Sequence, residues 1–403
     1  MKILIVSQHF YPETFRINDI AFSLSKMGHH VTVLTGLPNY PSGYIPEAYQ
    51  HFKKRDEIIE DVRVLRTSIF ARKTSLFNMA LNYVSFGINA SVKALFIKEK
   101  FDIVYSFQTS PISMVLPAIV MKHKQRIPLV VHCLDQWPIS VTTGPIQSNS
   151  ILYKTLFHFS RMIYNQADLI TLSSKSFRDY FSDVLNINES KGLVYWPAYA
   201  EDIYQNITQI KNDVFDLVFA GNIGPAQNVE FIIQAAERLR NEKDLHFHIV
   251  GGGLSLEKCQ SMVKELQLTN ITFHGHHSVE SMPEFYQLAD AFLITMVDNP
   301  VVNQTLPAKI QSYLRAGKPI IGAINGEVKH VILEADCGLV CDSNDLDSFV
   351  NHIRMAKAND RLLEEWSIRA SDYYLKHFDK NKLLNQLIGY FEDLIERSSH
   401  VTH

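Results

Sequence analysis

The chain has 403 residues, of which 46% are hydrophobic and 20% are charged, a balance typical of a globular protein with two domains. A formal net charge of -3 excludes a strong general attraction to nucleic acid, so no nucleic-acid partner is expected. The sequence begins without a signal peptide and contains no run of roughly 20 apolar residues, so the expected location is the cytoplasm. Four cysteines lack the spacing of metal ligands and are expected to be buried thiols.

The first half of the chain alternates apolar strands with helical segments. The run Lys2–Val6 predicts a buried parallel strand, the apolar spacing up to Gly28 predicts a helix, and residues 30–35 predict a second strand. Strand, helix and strand within about 35 residues form a βαβ unit. Three more strands are predicted in this half, at residues 102–106, 128–132 and 167–172.

Residues 70–100 mix aromatic and aliphatic side chains with basic ones. A basic amphipathic segment of this kind can lie on anionic lipid, so an anionic membrane surface is a candidate partner. An ordinary pair of core helices is the alternative. The residues on which the membrane interpretation depends are Phe77, Met79, Leu81, Tyr83, Phe86, Leu95 and Phe96, with Arg72, Lys73, Lys93, Lys98 and Lys100.

A polar stretch at residues 201–212 interrupts the alternation, which then restarts. The fold class is therefore α/β, with two Rossmann-like, doubly wound parallel-sheet domains over residues 1–200 and 213–378. Residues 379–403 predict an amphipathic helix that crosses back to the first domain, and a cleft is expected where the carboxyl edges of the two sheets face each other. The second half predicts a helix at 228–239 and strands at 215–221, 245–250, 271–275, 291–295, 319–323 and 338–340.

The most specific local pattern spans residues 305–319. Thr305 or Leu306 is the expected N-cap of a helix whose first turn contains Pro307. A helix amino terminus offers free N–H groups and a positive dipole end, which together bind a diphosphate. Lys309 in the first turn opposes the helix dipole unless a bound phosphate compensates it, so we predict a phosphate site here. A solvated lysine on a capped helix is the alternative.

Glycine-containing loops follow several predicted strands of the second half. Such loops let backbone amides approach phosphate oxygens, and a tight turn without a ligand is the alternative. The pattern is not GxGxxG and therefore does not specify NAD. The predicted donor contacts from these loops are Gly221, Asn222, Gly224, Gln227, Gly252 and Gly275.

Residues with possible roles in the chemistry also follow the buried strand predicted at residues 128–132, which ends at His132. Asp135 can hydrogen-bond or deprotonate an acceptor hydroxyl, and a helix N-cap is its alternative role. Trp137 is a candidate wall of the same acceptor site. His132 itself alternates with core positions, so a core histidine is the alternative to a site residue.

Polar residues follow the first two strands as well. Glu13, Arg16 and Asn18 come after the first strand, at the entrance to the expected cleft, where they could contact the acceptor or the diphosphate. Residues 38–43 come after the second strand and are a candidate acceptor loop.

At these residues the chain resembles the family-4 retaining glycosyltransferases of the GT-B fold. Each match to the family's motifs is weakly specific by itself, but together the matches follow the family's motif order over nearly the whole chain. Residues 35–41 further resemble bacterial members that build O-antigen and capsule, including L-fucosamine transferases. The other matching pieces are Pro12-Glu13, residues 28–35, Asp135-Gln136-Trp137-Pro138, Gly221-Asn222-Ile223-Gly224, Ala289-Asp290, Pro307, Lys309, Tyr313 and residues 316–319.

The resemblance implies transfer of a sugar from a nucleoside-diphosphate sugar, with retention and without a metal or another cofactor. The implied donor is a UDP-linked N-acetylated amino sugar. The implied acceptor is a saccharide, free or linked to polyprenyl diphosphate, used in surface polysaccharide synthesis at the inner face of the bacterial cytoplasmic membrane. Asp135 and Lys309 would be catalytic, and Thr305, Leu306 and Ser312 would contact the donor. A sugar-nucleotide epimerase of the same fold and a non-catalytic nucleotide-sugar-binding subunit are the alternatives.

The chain departs from the family pattern at positions that usually bind the nucleotide. Two glutamates eight positions apart usually precede the Gly-Lys-Pro sequence, and Gln304 and Ser312 stand there instead. The carboxylate that usually binds the ribose is therefore absent from this pattern. A basic pair usually follows the first strand of the second domain, and Asn222 and Gln227 occupy that region. We therefore expect Lys309 to carry more of the phosphate charge.

Overall fold

The computed structural model describes residues 1–73, 75–144, 146–187, 191–205, 207–210 and 212–401. The chain forms two compact units. Unit 1 contains residues 1–196 together with the segment from Asn381 onward, and unit 2 contains Pro197–Lys380. The terminal helix spans Lys380–Val401, so almost all of it belongs to unit 1.

The described part of unit 1 has one mixed sheet, whose strands are β1 (Lys2–Val6), β2 (His30–Gly36), β3 (Asp56–Ile59), β4 (Val62–Thr67), β5 (Ile103–Gln108), β6 (Leu129–Cys133), β7 (Leu169–Leu172) and β8 (Leu193–Tyr195). Their order is β3-β4-β2-β1-β5-β6-β7-β8. Neighbouring strands are parallel except for β3 and β4, which form an antiparallel hairpin at one edge. The central strands β5 and β6 are buried throughout, which requires apolar side chains on both faces.

Helices pack against this sheet and complete the core of unit 1. They are α1 (Arg16–Lys26), α2 (Leu76–Phe96), α3 (Leu116–Gln125), α4 (Ile151–Tyr164), the one-turn α5 (Phe177–Asp179) and the terminal helix. The terminal helix is tied to the sheet because the carbonyl of Leu383 accepts the indole N–H of Trp196 at 2.8 Å. Its Phe391 ring lies 5.6 Å from that of Tyr105 on β5.

Unit 2 has a fully parallel sheet, whose strands are β9 (Phe215–Ala220), β10 (Leu245–Val250), β11 (Ile271–Gly275), β12 (Ala291–Thr295), β13 (Ile320–Ala323) and β14 (Gly338–Cys341), in the order β11-β10-β9-β12-β13-β14. The connections contain α6 (Val229–Arg238), α7 (Leu256–Glu265), α8 (Met282–Leu288), α9 (Lys309–Arg315) and α10 (Glu327–Ala335). The helices α11 (Leu346–Lys357) and α12 (Asp360–His377) follow β14. The carboxyl ends of parallel strands lie at one edge of a sheet, so the loops after β9, β10 and β12 share that edge.

The predicted α/β class with two Rossmann-like sheets is confirmed, and each predicted strand exists with bounds shifted by a few residues at most. The hairpin β3–β4 and the short β8 were not predicted. Residues 70–100 contain one long helix, α2, and not the pair of helices considered from the sequence. All four cysteines are unpaired and buried, as expected. Among the described residues, no helix is both long and apolar enough to span a bilayer.

Candidate functional site

Unit 2 brings Lys309 against the glycine loop that follows β9. Lys309 is the first residue of α9, and its ammonium nitrogen lies 3.9 Å from the centre of the Phe219 ring on β9. A Cβ atom built on Gly221 would lie only 2.9 Å from the same nitrogen. The two segments that the sequence singled out separately for phosphate binding are therefore in contact.

The Lys309 ammonium is buried and has no hydrogen-bond acceptor among the residues that the structure describes. Burial lowers its pKa to about 7, because removal from water disfavours the charged form. The face of the Phe219 ring offers a cation–π attraction in place of the lost water, but no hydrogen-bond acceptor. Lys309 is therefore not a solvated lysine. It is a buried cationic group that lacks an anion.

Three loops at the carboxyl edge of the sheet are joined by backbone hydrogen bonds. The Ile223 N–H donates to the Gly252 carbonyl and the Gly251 N–H donates to the Gly275 carbonyl, both at 2.8 Å. Gly221 and Gly251 have φ values of 145° and 146°, and a Cβ on Gly251 would lie 1.8 Å from the Gly221 carbonyl oxygen. The close approach requires glycine at position 251, and the φ values favour glycine at both positions.

The predicted donor residues Asn222, Gly224 and Gln227 form one small cluster. The side-chain oxygen of Gln227 accepts the Gly224 N–H at 3.2 Å and the Asn222 side-chain N–H at 3.1 Å. The Gly224 amide, which the sequence suggested as a phosphate ligand, is therefore engaged by the Gln227 carboxamide. A phosphate would have to displace that carboxamide before the amide could bind it.

The residues around the start of α9 differ from the prediction. Ala308 is the N-cap, so the expectation of a cap at Thr305 or Leu306 was wrong. Thr305 completes the turn before it, since its hydroxyl donates to the Val302 carbonyl at 2.7 Å, and Leu306 is buried in the core. Ser312 is buried and its hydroxyl lies 3.5 Å from the Ala308 carbonyl of its own helix. Because α9 is short, its dipole contributes less than predicted and the Lys309 side chain matters more.

The one Asp-x-Asp triplet of the sequence, Asp345-Leu346-Asp347, serves to begin a helix. Asp345 is the N-cap of α11, and its carboxylate accepts the Ser348 N–H at 3.0 Å. This contact explains the first aspartate by local structure. The predicted independence from metal stays a prediction.

In unit 1, Asp135 follows β6 and sits among hydrogen-bond donors. Its carboxylate accepts the hydroxyl of Ser110 and, at 3.2 Å, the indole N–H of Trp137. Burial raises the pKa of Asp135, and hydrogen bonds from Ser110, Ser140 and Trp137 oppose that rise. The short helix that follows has Pro138 as its N-cap, so Asp135 does not have the alternative capping role. A raised pKa makes this carboxylate a stronger base, which favours a role as general base.

His132 is a core histidine. Its side chain is buried, its Nδ1 lies 2.9 Å from the Thr171 hydroxyl, and its ring stands edge-on to that of Trp196 at 4.9 Å. Burial lowers the pKa of His132 to about 3, so the ring stays neutral. The core alternative considered from the sequence is confirmed.

Glu13 shapes the loops that follow β1 and β2. It is buried, and one carboxylate oxygen accepts the N–H groups of Asn39 and Tyr40, each at 2.6 Å. The other oxygen lies 2.8 Å from Nδ1 of His9. Both oxygens are therefore engaged within the protein, and Glu13 fixes the candidate acceptor loop at residues 38–43.

Two other predicted acceptor residues lie at the start of α1. Asn18 accepts the Tyr11 N–H at 3.0 Å and donates to the Glu13 carbonyl at 2.6 Å, so it holds the loop after β1. Arg16 is the first residue of α1 and is partly exposed. Trp137 is mostly buried beside Asp135. Their roles toward an acceptor stay predictions.

The structure adds residues that sequence reasoning missed. Gln8 donates to the Asn82 side-chain oxygen at 2.7 Å, and Asn82 donates to that of Asn39 at 3.2 Å, so a buried polar chain links β1 with α2 and the acceptor loop. Gln8 and His9 follow a buried strand directly, which is a signal that could have found them. Asn82 is one polar residue within an apolar helix, and nothing in its local sequence marks it.

Comparison with known proteins identifies the class to which this geometry belongs. The family model described as Glycosyltransferase Family 4 matches residues 16–197, and the model described as Glycosyl transferases group 1 matches residues 200–372. These two matches follow the division into units 1 and 2. The chain is therefore a glycosyltransferase of the GT-B fold, with a Family 4 first half and a group 1 second half.

Among individual proteins, the chain is similar to WcaI of Escherichia coli K12, whose name assigns it glycosyl transfer in colanic acid biosynthesis. The two are 23% identical over 96% of this chain and 99% of WcaI. Sucrose-phosphate synthase of Thermosynechococcus elongatus matches with a TM-score of 0.75 and 13% identity, over 98% of this chain and 99% of its own. Anabaena HepE, crystallised in complex with UDP, matches with a TM-score of 0.71 and 13% identity, over 98% of this chain and 100% of its own. At such identities the two structural matches show the fold alone.

Proposed function

We propose that this glycosyltransferase moves a sugar, with retention, from a UDP-linked N-acetylated amino sugar to a saccharide or lipid-linked saccharide in surface polysaccharide synthesis. The observation that carries the donor half of this proposal is the buried ammonium of Lys309, which has no anionic partner among the described residues. The similarity to WcaI supports the polysaccharide role, and UDP bound in HepE supports the choice of base.

The donor diphosphate is the anion that best fits the surroundings of Lys309. Its phosphates would lie along the loop at Gly221, where the absence of a side chain lets the Lys309 ammonium approach the backbone. A bound diphosphate would restore the ordinary pKa of Lys309, so the lysine would be charged when the sugar leaves. That charge stabilises the negative charge that develops on the departing diphosphate.

The reaction needs one bond to break and one to form at the anomeric carbon. The bond from that carbon to the β-phosphate oxygen breaks, and the acceptor oxygen bonds to the same face, which retains the configuration. The acceptor hydroxyl loses its proton in this step. Asp135 is our candidate for hydrogen-bonding that hydroxyl or accepting its proton, because burial raises its pKa.

A transfer assay tests this proposal. The protein is incubated with a panel of UDP-linked hexoses and acetamido sugars and with a lipid-linked saccharide, and UDP release and product configuration are measured. We expect release of UDP with an acetamido sugar and an α-configured product from an α-configured donor. Lys309→Met should abolish transfer, whereas Lys329→Met, at an exposed ion pair in the same unit, should not. Release of free epimerised sugar without a transfer product would favour the epimerase alternative and contradict the proposal.

The acceptor is proposed to be membrane-bound because of one exposed face of α2. Side chains at positions 77, 84, 88, 92 and 95 recur at helical spacing, and each is at least 50% exposed and apolar. An exposed apolar stripe of this length marks an interaction surface, and Lys73 and Lys98 lie exposed near its two ends. Apolar residues flanked by basic ones fit an anionic bilayer surface.

Vesicle flotation tests this contact. The double variant Val84→Glu/Ile88→Glu should not float with anionic vesicles, although it should still bind UDP. A glutamate at Leu333, an equally exposed apolar residue on α10, should leave flotation unchanged. If the native protein does not float, the membrane part of the proposal is wrong and the transfer reaction is unaffected.

A further inference from the structure

A strained, basic turn precedes β3 in unit 1. Its sequence is His51-Phe52-Lys53-Lys54-Arg55, and three of these residues have positive φ values: 50° at His51, 61° at Phe52 and 51° at Lys54. Residues other than glycine are strained in this backbone conformation, and a cluster of them points to a use for it. The turn leaves the Phe52 ring 81% exposed, with the Arg55 guanidinium 5.3 Å from its centre.

This turn borders an open cavity of about 420 Å³ whose other wall is the end of α2. Four cationic side chains line the cavity against two carboxylates. The cations are Arg55, Arg63, Lys93 and Lys98, and the carboxylates are Asp56 and Glu99. The cavity therefore has a net positive lining.

The two carboxylates are already used. Both pair with Arg63, Asp56 at 2.7 Å and Glu99 at 3.1 Å. Lys93 points its ammonium at the Arg66 carbonyl at 2.7 Å. Arg55 has a buried Nε with no hydrogen-bond partner among the described residues. The cavity thus holds a guanidinium that is incompletely satisfied, with the exposed Lys98 beside it.

The pKa of Lys93 shows how the charges balance. Burial lowers this pKa, Asp56 raises it, and the nearby arginines Arg55, Arg63 and Arg66 lower it further. Repulsion from three guanidinium groups therefore acts on the lysine beside the attraction of one carboxylate. An anion in the cavity would relieve that repulsion and supply an acceptor for Arg55, and phosphate is an anion that guanidinium groups bind through two parallel hydrogen bonds.

The apolar surroundings indicate where the phosphate comes from. Phe96 lines the cavity and is 76% exposed, and Leu95 next to it is 55% exposed. Together with Phe52 they place apolar surface beside a cationic pocket, which suits the phosphate and upper acyl region of a phospholipid rather than a free phosphate ion. The pocket continues the exposed stripe of α2.

We propose that this cavity is a binding pocket for the phosphate of an anionic phospholipid, held by Arg55 and Lys98. The proposal rests on the membrane contact described under the proposed function. Arg63 lies near the amino end of β4, opposite Thr32 of β2, whereas Asp135 follows the carboxyl end of β6. The pocket and Asp135 are therefore at opposite edges of the sheet, and lipid binding is separable from the chemistry.

Co-sedimentation with vesicles tests the pocket. Native protein is compared on phosphatidylcholine vesicles and on vesicles with added phosphatidylglycerol, and then as the double variants R55Q/K98Q and K53Q/K54Q. Each pair removes two positive charges from the same region, so both lose the same general attraction, about fivefold per residue. We expect R55Q/K98Q to bind the anionic vesicles at least about tenfold more weakly than K53Q/K54Q, because only it loses the phosphate contacts.

Equal losses in the two double variants would overturn the proposal. Equal binding of the native protein to both vesicle types would also overturn it. The same holds if glycerol 3-phosphate raises the melting temperature of the native protein while the protein binds no vesicles. Both variants should keep the native thermal shift with UDP. If the native protein shows no thermal shift with UDP, the proposed function is contradicted, and the vesicle comparison still tests the pocket.

Discussion

Replacement of Lys309 by methionine should stabilise the protein without ligand and remove its response to nucleotide. Methionine matches the length of the lysine stem and carries no charge to bury. The native ammonium is buried without an acceptor among the described residues and lies over the face of the Phe219 ring. The substitution therefore removes a cost from the ligand-free state and an attraction from the diphosphate-bound state.

The size of the stabilisation follows from the pKa of Lys309, which burial lowers from 10.5 to about 7. Each unit of difference corresponds to about 1.4 kcal/mol, so the cost of the buried charge is at most about 5 kcal/mol. The lysine as a whole is only partly buried, and water reaching the stem reduces this figure, so we expect about 1–3 kcal/mol. In a unit of this size that gain raises the melting temperature by about 2–12 °C.

The stabilisation by Lys309→Met should depend on pH. The unfolded chain holds the lysine proton up to about pH 10.5 and the folded chain releases it near pH 7. The cost is therefore full below pH 7 and vanishes as the pH rises toward 10.5. Lys309→Met should stabilise more at pH 7 than at pH 10, measured by thermal unfolding with and without UDP. A methionine variant that is less stable than the native protein at pH 7, or that keeps the full UDP shift, would refute this reasoning.

Three further predictions concern single residues. Gly221→Ala should lower the unfolding free energy by about 1–3 kcal/mol and abolish the thermal shift with UDP, because φ is 145° and the new Cβ would lie 2.9 Å from Lys309 Nζ. The control is Gly389→Ala in the terminal helix, where the new Cβ would meet nothing within 4 Å, and it should not destabilise the protein. Asp135→Asn should reduce transfer about 10²–10⁴-fold while the UDP shift stays native, and an unchanged rate would leave Asp135 a structural role only. Burial lowers the pKa of both His246 and His274, so the stability that they contribute should be full above about pH 6.5 and fall as the pH drops. His274→Gln should reduce this pH dependence, measured as the urea midpoint of unfolding from about pH 7.5 to about pH 5. An unchanged pH dependence in that variant would count against this assignment.

The sheets were predictable because their strands are continuous apolar runs, which only a sheet covered on both faces can bury. The hairpin β3–β4 was not predictable on that basis, since Asp56 and Glu57 and the arginines of β4 make it polar. Its position is fixed by long-range pairing, with Arg63 beside Thr32 of β2. Such pairing leaves no signal in the local sequence.

The candidate site was predicted in part. The sequence marked Lys309 and the Gly221 loop, because helix starts and glycine turns have local signatures. It could not show that the Lys309 ammonium is enclosed by Phe219, a residue 90 positions earlier in the chain. It marked Glu13 and Asn18 as candidate acceptor residues, and it could not show that both also hold the chain's own loops. A polar residue at a strand end can serve a ligand or a loop, and only the partners decide.

Proton uptake on binding of UDP tests the central claim most directly. Calorimetric titration at about pH 8.5, in two buffers of different ionisation enthalpy, counts the protons that accompany binding. With a ligand-free pKa of about 7 for Lys309, the diphosphate should draw close to one proton onto the native protein and none onto Lys309→Met. Binding of UDP to the native protein without proton uptake, or with the same uptake in the methionine variant, would contradict the account of Lys309 as the diphosphate ligand.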